Sequence, residues 1–294
     1  MHLGVFVDVG TRDETAETSG AMLSLKNTYL KTAINTSETV NYGITQMSGG
    51  HFEMEYNREN SYYHASCLAH DVVDVFSMMA DSAFEPKNFV STSVGMYKNS
   101  KSHKLETFLG GNTVFQDSLF QAAYGRAALG MPLHGFRNNV SSLTAYVIQK
   151  FQSEQITPER IVISAAGVED HEEFLDVVNE KLASSILPEK RAERQAAQYL
   201  GGEVRNLTEA NNIHVLLAFE GARHENAVPF LVAEEILGNN RKLGRIQKNI
   251  LNKHVFVDGA QSVNANFADT GLFGLKVSGS SSHVSHRVCR PGTS

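Results

Sequence analysis

The chain has 294 residues, 41% of them hydrophobic, which is enough for a substantial core and, by length, for about two domains. Its 26 basic and 32 acidic residues leave a formal charge of -6 with no long basic run, so attraction to a nucleic-acid backbone is excluded as the basis of its function. No stretch approaches the ~18 to 20 apolar residues that span a bilayer, and Cys67 and Cys289 make neither a disulfide framework nor a zinc spacing, the usage of a reducing compartment.

Met1-His2-Leu3 enters a strand almost at once, with no basic, acid-poor leader before it; a presequence is expected to have been removed, or the chain to begin inside a longer gene product. The apolar, β-branched run of residues 3–9 predicts a strand, residues 10–14 a polar turn, and residues 20–32 a helix. That helix contains no His, Glu or Asp. Next, Phe52, Met54 and Tyr56 alternate with His51, Glu53 and Glu55, the period of a strand with one buried face. Residues 57–60 supply a turn and residues 61–68 the returning strand. Leu68, Val72, Val75, Phe76 and Met79 then share one face of a helix that ends before Pro86.

The pattern weakens over residues 89–111, where 98–104 read as a loop. A helix follows over residues 112–126, and another from about Asn139, with Val140, Leu143, Val147 and Phe151 in register. Residues 161–167 read as a buried strand. Asp170 and Glu173 stand at capping-box spacing before a helix whose core stripe is Phe174, Val177, Val178 and Leu182. Beyond a charged, Pro- and Gly-containing linker, residues 202–205 and 212–221 predict two strands, and residues 228–237 a helix with Pro229 in its first turn. Residues 262–267 and 271–277 predict a hairpin, and from Ser278 a Ser-rich tail without periodicity is expected to be mobile. Residues 5–30 and 215–237 share the order strand, polar turn, apolar helix, which suggests one unit used twice. The predicted division is 1–188 as a first α/β domain, 189–202 as linker, 203–277 as a partial second domain and 278–294 as tail.

Twelve histidines prompt a search for metal sites, but neither H-E-x-x-H nor H-x-x-E-H occurs. The partial groupings are His70 with Asp74, one helical turn apart; His51 with Glu53 and Glu55 on one strand face; and His171 beside Glu172 and Glu173. Each reads as ordinary solvated surface, since a catalytic metal needs three protein ligands. No nucleophile elbow, P-loop or dinucleotide fingerprint is present. Gly238-Asn239-Asn240-Arg241-Lys242-Leu243-Gly244 is basic and reads as a helix-ending loop, with docking of a phosphate or acidic group as the alternative. Asn206-Leu207-Thr208 fits a glycosylation acceptor, with nothing else to indicate secretion.

In order along the chain, Val7-Asp8-Val9-Gly10-Thr11-Arg12, Arg58-Glu59-Asn60, Gln121-Ala122-Ala123-Tyr124 and Asp269-Thr270-Gly271-Leu272-Phe273-Gly274 resemble the pitrilysin-like mitochondrial processing peptidase family and its relatives, the core proteins of ubiquinol cytochrome c reductase. The likeness is strongest to the α-type branch, the processing peptidase α subunit and core protein two. It implies an α+β fold of two homologous halves, each a mixed, largely antiparallel sheet with helices on one face, the second half incomplete here. Active members carry the inverse zinc motif on the helix that begins near Gly20, where this chain has Ala21, Met22, Leu23, Ser24 and Leu25. Glu106 falls near the family's third ligand, but one carboxylate cannot hold catalytic zinc.

The resemblance therefore implies no catalytic residue, no metal ligand and no cofactor. It implies a non-catalytic core-two-like subunit of respiratory complex III, peripheral on the matrix side of the mitochondrial inner membrane, with no direct membrane span. Its partners would be a core-one or β-type subunit and other complex III subunits. The alternative is the presequence-binding α subunit of the processing peptidase, whose long glycine-rich loop corresponds to the shorter, glycine-poor 238–244 segment.

Overall fold

Alternation and β-branching at the start of the chain produce β1, His2–Val7, in which Leu3, Val5 and Val7 are buried while Phe6 stays 47% exposed. A computed structural model describes residues 1–30, 39–40, 43–44, 49–84, 110–140, 143–168, 170–184, 193–206, 212–238, 244–254 and 257–280. The chain divides into two units, one made of Met1–Gln121 with Gly125–Gln195 and the other of Ala122–Tyr124 with Ala196–Ser294.

In the first unit, β2 (His51–Tyr56) and β3 (Ser61–Ser66) form a hairpin, β3 pairs with β1, and β1 pairs with β4 (Ile161–Ala166). All pairings are antiparallel and the strand order is β2-β3-β1-β4. Helices α1 (Ala21–Thr28), α2 (Val72–Phe84), α3 (Gly110–Tyr124), α4 (Arg137–Val140), α5 (Ala145–Gln155) and α6 (His171–Ser184) accompany this part of the chain. Leu3, Val5, Val7, Met54 and Tyr63 from one sheet face form a single core with Met22, Leu25, Phe76, Met79, Ile148, Phe151 and Phe174 from the helices. Phe76 and Phe174 meet edge to face at 5.2 Å, the favoured arrangement of two buried rings.

The second unit starts with β5 (Asn212–Glu220), a 3₁₀ turn at His224–Asn226 and α7 (Val228–Leu237), and continues through β6 (Val257–Asn266) and β7 (Gly271–Ser280). Its order is β5-β7-β6, again all antiparallel. Both units therefore use one topology: a strand, a 3₁₀ turn, a helix, then a hairpin whose second strand pairs with the first. The repeated order of elements in the sequence is a repeated sheet.

Several elements differ from expectation. Residues 161–167 read as a buried strand, yet among the described residues β4 lies at the end of the sheet order, with alternate residues turned out and Val162 63% exposed. An apolar run does not say whether both faces of its strand are covered. The helix expected from Asn139 through Phe151 is two, because Thr144 takes an extended conformation (φ -107°, ψ 159°) and its hydroxyl accepts from the Val147 amide at 3.4 Å, starting α5. Residues 202–205 form no strand; they are exposed, and Glu203 pairs with Arg205 within the segment. Ser278 to Ser280 belong to β7, so the strand runs past the point where the composition changes. The expected loop at 98–104, the charged part of the linker at 189–192 and the tail from 281 lie outside the described residues. Among the described residues no helix is long and apolar enough to cross a membrane.

Candidate functional site

The turn from β1 into α1 is built from charged residues that the fold buries. Thr11–Asp13 form a 3₁₀ turn in which Asp13 Oδ2 accepts from the Gly10 amide at 3.0 Å. The Gly10 backbone lies against the β2–β3 turn so closely that a Cβ there would sit 2.4 Å from the Arg58 carbonyl. The Arg12 amide donates to Arg58 O at 2.9 Å, and its guanidinium, buried, pairs with Glu59 and donates to Gln195 O at 3.0 Å. Arg194 reaches the same turn, with Nη1 2.9 Å from Asp8 Oδ1 and Nε 2.9 Å from Asp13 Oδ1; those carboxylates hold its guanidinium above the ordinary range despite burial. Arg160 Nη1 lies 3.6 Å from Asp13 Oδ1. On the other side of the hairpin, Arg58 Nη2 is 2.5 Å from Asp117 Oδ1 and its guanidinium carbon stands 3.9 Å over the Phe120 ring. Buried charges persist only when paired and hydrogen-bonded, and these are both. Arg12, Arg58 and Glu59, the residues that carried the resemblance, thus tie the turn after β1 to the hairpin.

Glu14, 5% exposed, closes the turn over α1. Its Oε2 accepts from Gly20 N and its Oε1 from Met22 N, each at 2.9 Å. Gly20 precedes the helix in the left-handed region at φ 96°, where a side chain would be strained. Burial drives the Glu14 carboxyl up to about 8, outweighing the amides of Met22, Gly20 and Ala21 that favour its charged form.

Behind this cap, Ala21, Met22, Leu23, Ser24, Leu25 and Thr28 are buried. The polar atoms among them are satisfied locally: Ser24 Oγ donates to Gly20 O at 3.0 Å and Thr28 Oγ1 to Ser24 O at 2.8 Å. α1 offers no imidazole, carboxylate or thiol, so the zinc that the resemblance places on this helix does not fit its residues. Glu106 lies outside the described residues. What α1 can do is pack.

The other sequence candidates separate. His70 pairs with its neighbour Asp71 at 3.3 Å, and Asp74 is exposed in the first turn of α2. His171 is an exposed first residue of α6, which Asp170 caps through the Glu172 and Glu173 amides at 2.9 and 3.1 Å. Gly238 ends α7 and lies against Gly244, while residues 239–243 are outside the described set, as are Leu207 and Thr208. His51 keeps its place beside Glu53, with Nε2 3.3 Å from Oε2. The hairpin adds a residue that sequence reasoning missed: His64, directly opposite Glu53 in the ladder, places its Nε2 4.0 Å from the same oxygen. Counting back from the turn at residues 57–60 would have found it, because Tyr56 and Ser61 flank that turn as a pair.

In the second unit the remaining motif residues serve the sheet. Tyr124 Oη donates to Gly271 O at 3.0 Å, Asp269 Oδ2 accepts from Ala197 N at 2.7 Å, and Thr270 Oγ1 stands 3.3 Å from Glu220 Oε1.

Comparison with known proteins agrees with this geometry. A family model described as insulinase (peptidase family M16) matches residues 1–135, and one described as peptidase M16 inactive domain matches residues 142–288. The chain is 27% identical over 286 residues to the probable mitochondrial-processing peptidase subunit alpha-2 of Arabidopsis thaliana, covering 93% of this chain and 57% of that protein. It is 26% identical over 243 residues to the ubiquinol-cytochrome-c reductase complex core protein I of Euglena gracilis, covering 81% of this chain and 49% of that one. The chain thus spans about half the length of the curated relatives it matches. A crystal structure of a protease from Helicobacter pylori superposes with a TM-score of 0.78 at 15% identity, over 95% of this chain and 69% of that one, a likeness of fold.

Proposed function

This chain belongs to peptidase family M16, and we propose that it is a member without hydrolytic chemistry of its own, a core-two-like structural subunit of respiratory complex III paired with a core-one or β-type subunit. The observation that carries this reading is α1. At the helix where active relatives hold zinc, this chain has apolar and hydroxyl side chains buried under Glu14, with no donor for a metal and no base for a water. The charged groups nearby are engaged in closing the fold. Exposed apolar side chains on β5 and α7, among them Leu217, Phe219, Val228 and Ile236, supply surface of the kind that an assembly buries. Location on the matrix side of the mitochondrial inner membrane follows from the proposed role. Affinity purification of the native protein tests it: cytochromes and a core-one-like subunit should co-purify in fixed stoichiometry, and recovery without cytochromes would argue against it.

A second reading, the presequence-binding α subunit of a processing peptidase, is favoured by the likeness to the Arabidopsis alpha subunit. Against it stands the short 238–244 segment, which holds glycine only at its ends. Reconstitution with a zinc-bearing β-type subunit separates the two, since only the second reading requires this chain for presequence cleavage.

A further inference from the structure

We propose that His51, Glu53 and His64 form a binding site for one divalent transition metal ion on the outward face of the β2–β3 hairpin. The site is separate from the helix discussed above and does not depend on the assembly proposed for the chain.

The placement follows from the ladder. β2 and β3 turn Phe52, Met54, Tyr63 and Ala65 into the core, so His51, Glu53 and His64 share the opposite face. Glu53 and His64 are direct cross-strand partners, and His51 lies two residues from Glu53 on the same face. One ligand atom from each residue falls within 4.8 Å of the others. His51 Nε2 and His64 Nε2 approach Glu53 Oε2 to 3.3 and 4.0 Å, so one carboxylate oxygen faces two imidazoles.

Donors on a tetrahedral zinc at ~2.0 to 2.1 Å stand about 3.3 Å apart. The cluster therefore needs only a small contraction. The side chains are 66%, 40% and 43% exposed, so rotation about their own torsions supplies it without moving the sheet. Part of the arrangement is already held: the His64 ring stacks on Tyr62 at 6.1 Å, Tyr62 stacks on Phe6 at 6.2 Å, and the His51 amide donates to Ser66 Oγ at 3.2 Å.

Two imidazole nitrogens and one carboxylate oxygen suit zinc, nickel or copper in preference to magnesium or calcium, which favour oxygen donors. Ligation through Nε2 requires the proton on Nδ1 of each ring and neutral imidazoles, so protons compete with the metal for the site. Three protein donors leave a coordination position open to solvent. Because the donors come from both strands, the bound ion also joins β2 to β3.

The test is calorimetric titration of Zn²⁺ into the full, tag-free chain, with Co²⁺ absorption as a report on the ligands. The expected result is one equivalent bound, with d–d bands of a low-coordinate Co²⁺ site and an unfolding midpoint that rises with Zn²⁺ concentration. His51→Ala and His64→Ala should each weaken binding about tenfold or more and remove the bands, while His70→Ala leaves both unchanged. Glu53→Gln, close to isosteric, should weaken binding with the far-UV spectrum unaltered, and so guards against a folding defect. Absence of Zn²⁺ binding in the wild-type chain, or equal affinity in the His51→Ala and His64→Ala chains, would overturn the proposal. None of these readouts involves peptide cleavage or complex III, so they stand or fall apart from the proposed function.

Discussion

The Glu14 carboxyl group accepts a hydrogen bond from the Met22 amide at 2.9 Å and so caps the first turn of α1 from inside the fold. Both oxygens accept amides, which favours the ion, yet burial outweighs this and raises the carboxyl from 4.5 to about 8. A group whose folded value exceeds its unfolded value contributes stability that is fully present below about pH 4.5 and lost once the pH has passed about 8. Between those limits stability should fall by up to ~1.4 kcal/mol per pH unit from this group. Urea midpoints measured across that range should show the decline in the wild-type chain and a shallower profile in Glu14→Gln.

The buried Arg12–Glu59 pair should behave as a unit. Arg12→Met removes the guanidinium paired with the buried Glu59 carboxylate and is expected to cost about 3 to 5 kcal/mol, whereas Arg12→Met with Glu59→Leu should recover much of the loss. A double-mutant cycle by chemical denaturation checks this, and additive effects would contradict it.

Gly10→Ala places a methyl group 2.4 Å from the Arg58 carbonyl, where backbone must yield. A destabilisation of about 1 to 3 kcal/mol is expected, with loss of amide-exchange protection at Arg12, whose N–H bonds Arg58 O across the same contact.

Thr144 stops one helix pattern from becoming a single helix. Thr144→Ala removes the acceptor for the Val147 amide and should cost about 1 kcal/mol, read from the thermal midpoint, whereas Thr144→Asp should retain the cap.

Much of the fold was legible because its signals are local. The alternation at Phe52, Met54 and Tyr56 marks β2, and Asp170 before Glu173 marks the start of α6. The position of β4 was not legible, since Ile161–Ala166 has the same apolar run whether it lies at the edge or the centre of a sheet. Thr144 was missed because Val140, Leu143, Val147 and Phe151 keep a helical spacing across it, and a threonine's choice between helix interior and cap depends on the neighbouring backbone. His64 was missed because its neighbour is set by strand register, whereas His51 and Glu53 meet within one strand. The absence of donors on α1 was readable residue by residue; that Glu14 folds over that helix was not, because the contact depends on the turn of chain between them.

Presequence-peptide hydrolysis by the isolated, tag-free chain in the presence of Zn²⁺ tests most directly whether the chain is non-catalytic. Cleavage should be no faster than that of the peptide alone, even with zinc bound at the hairpin. Chelator-sensitive cleavage by the isolated chain would contradict it.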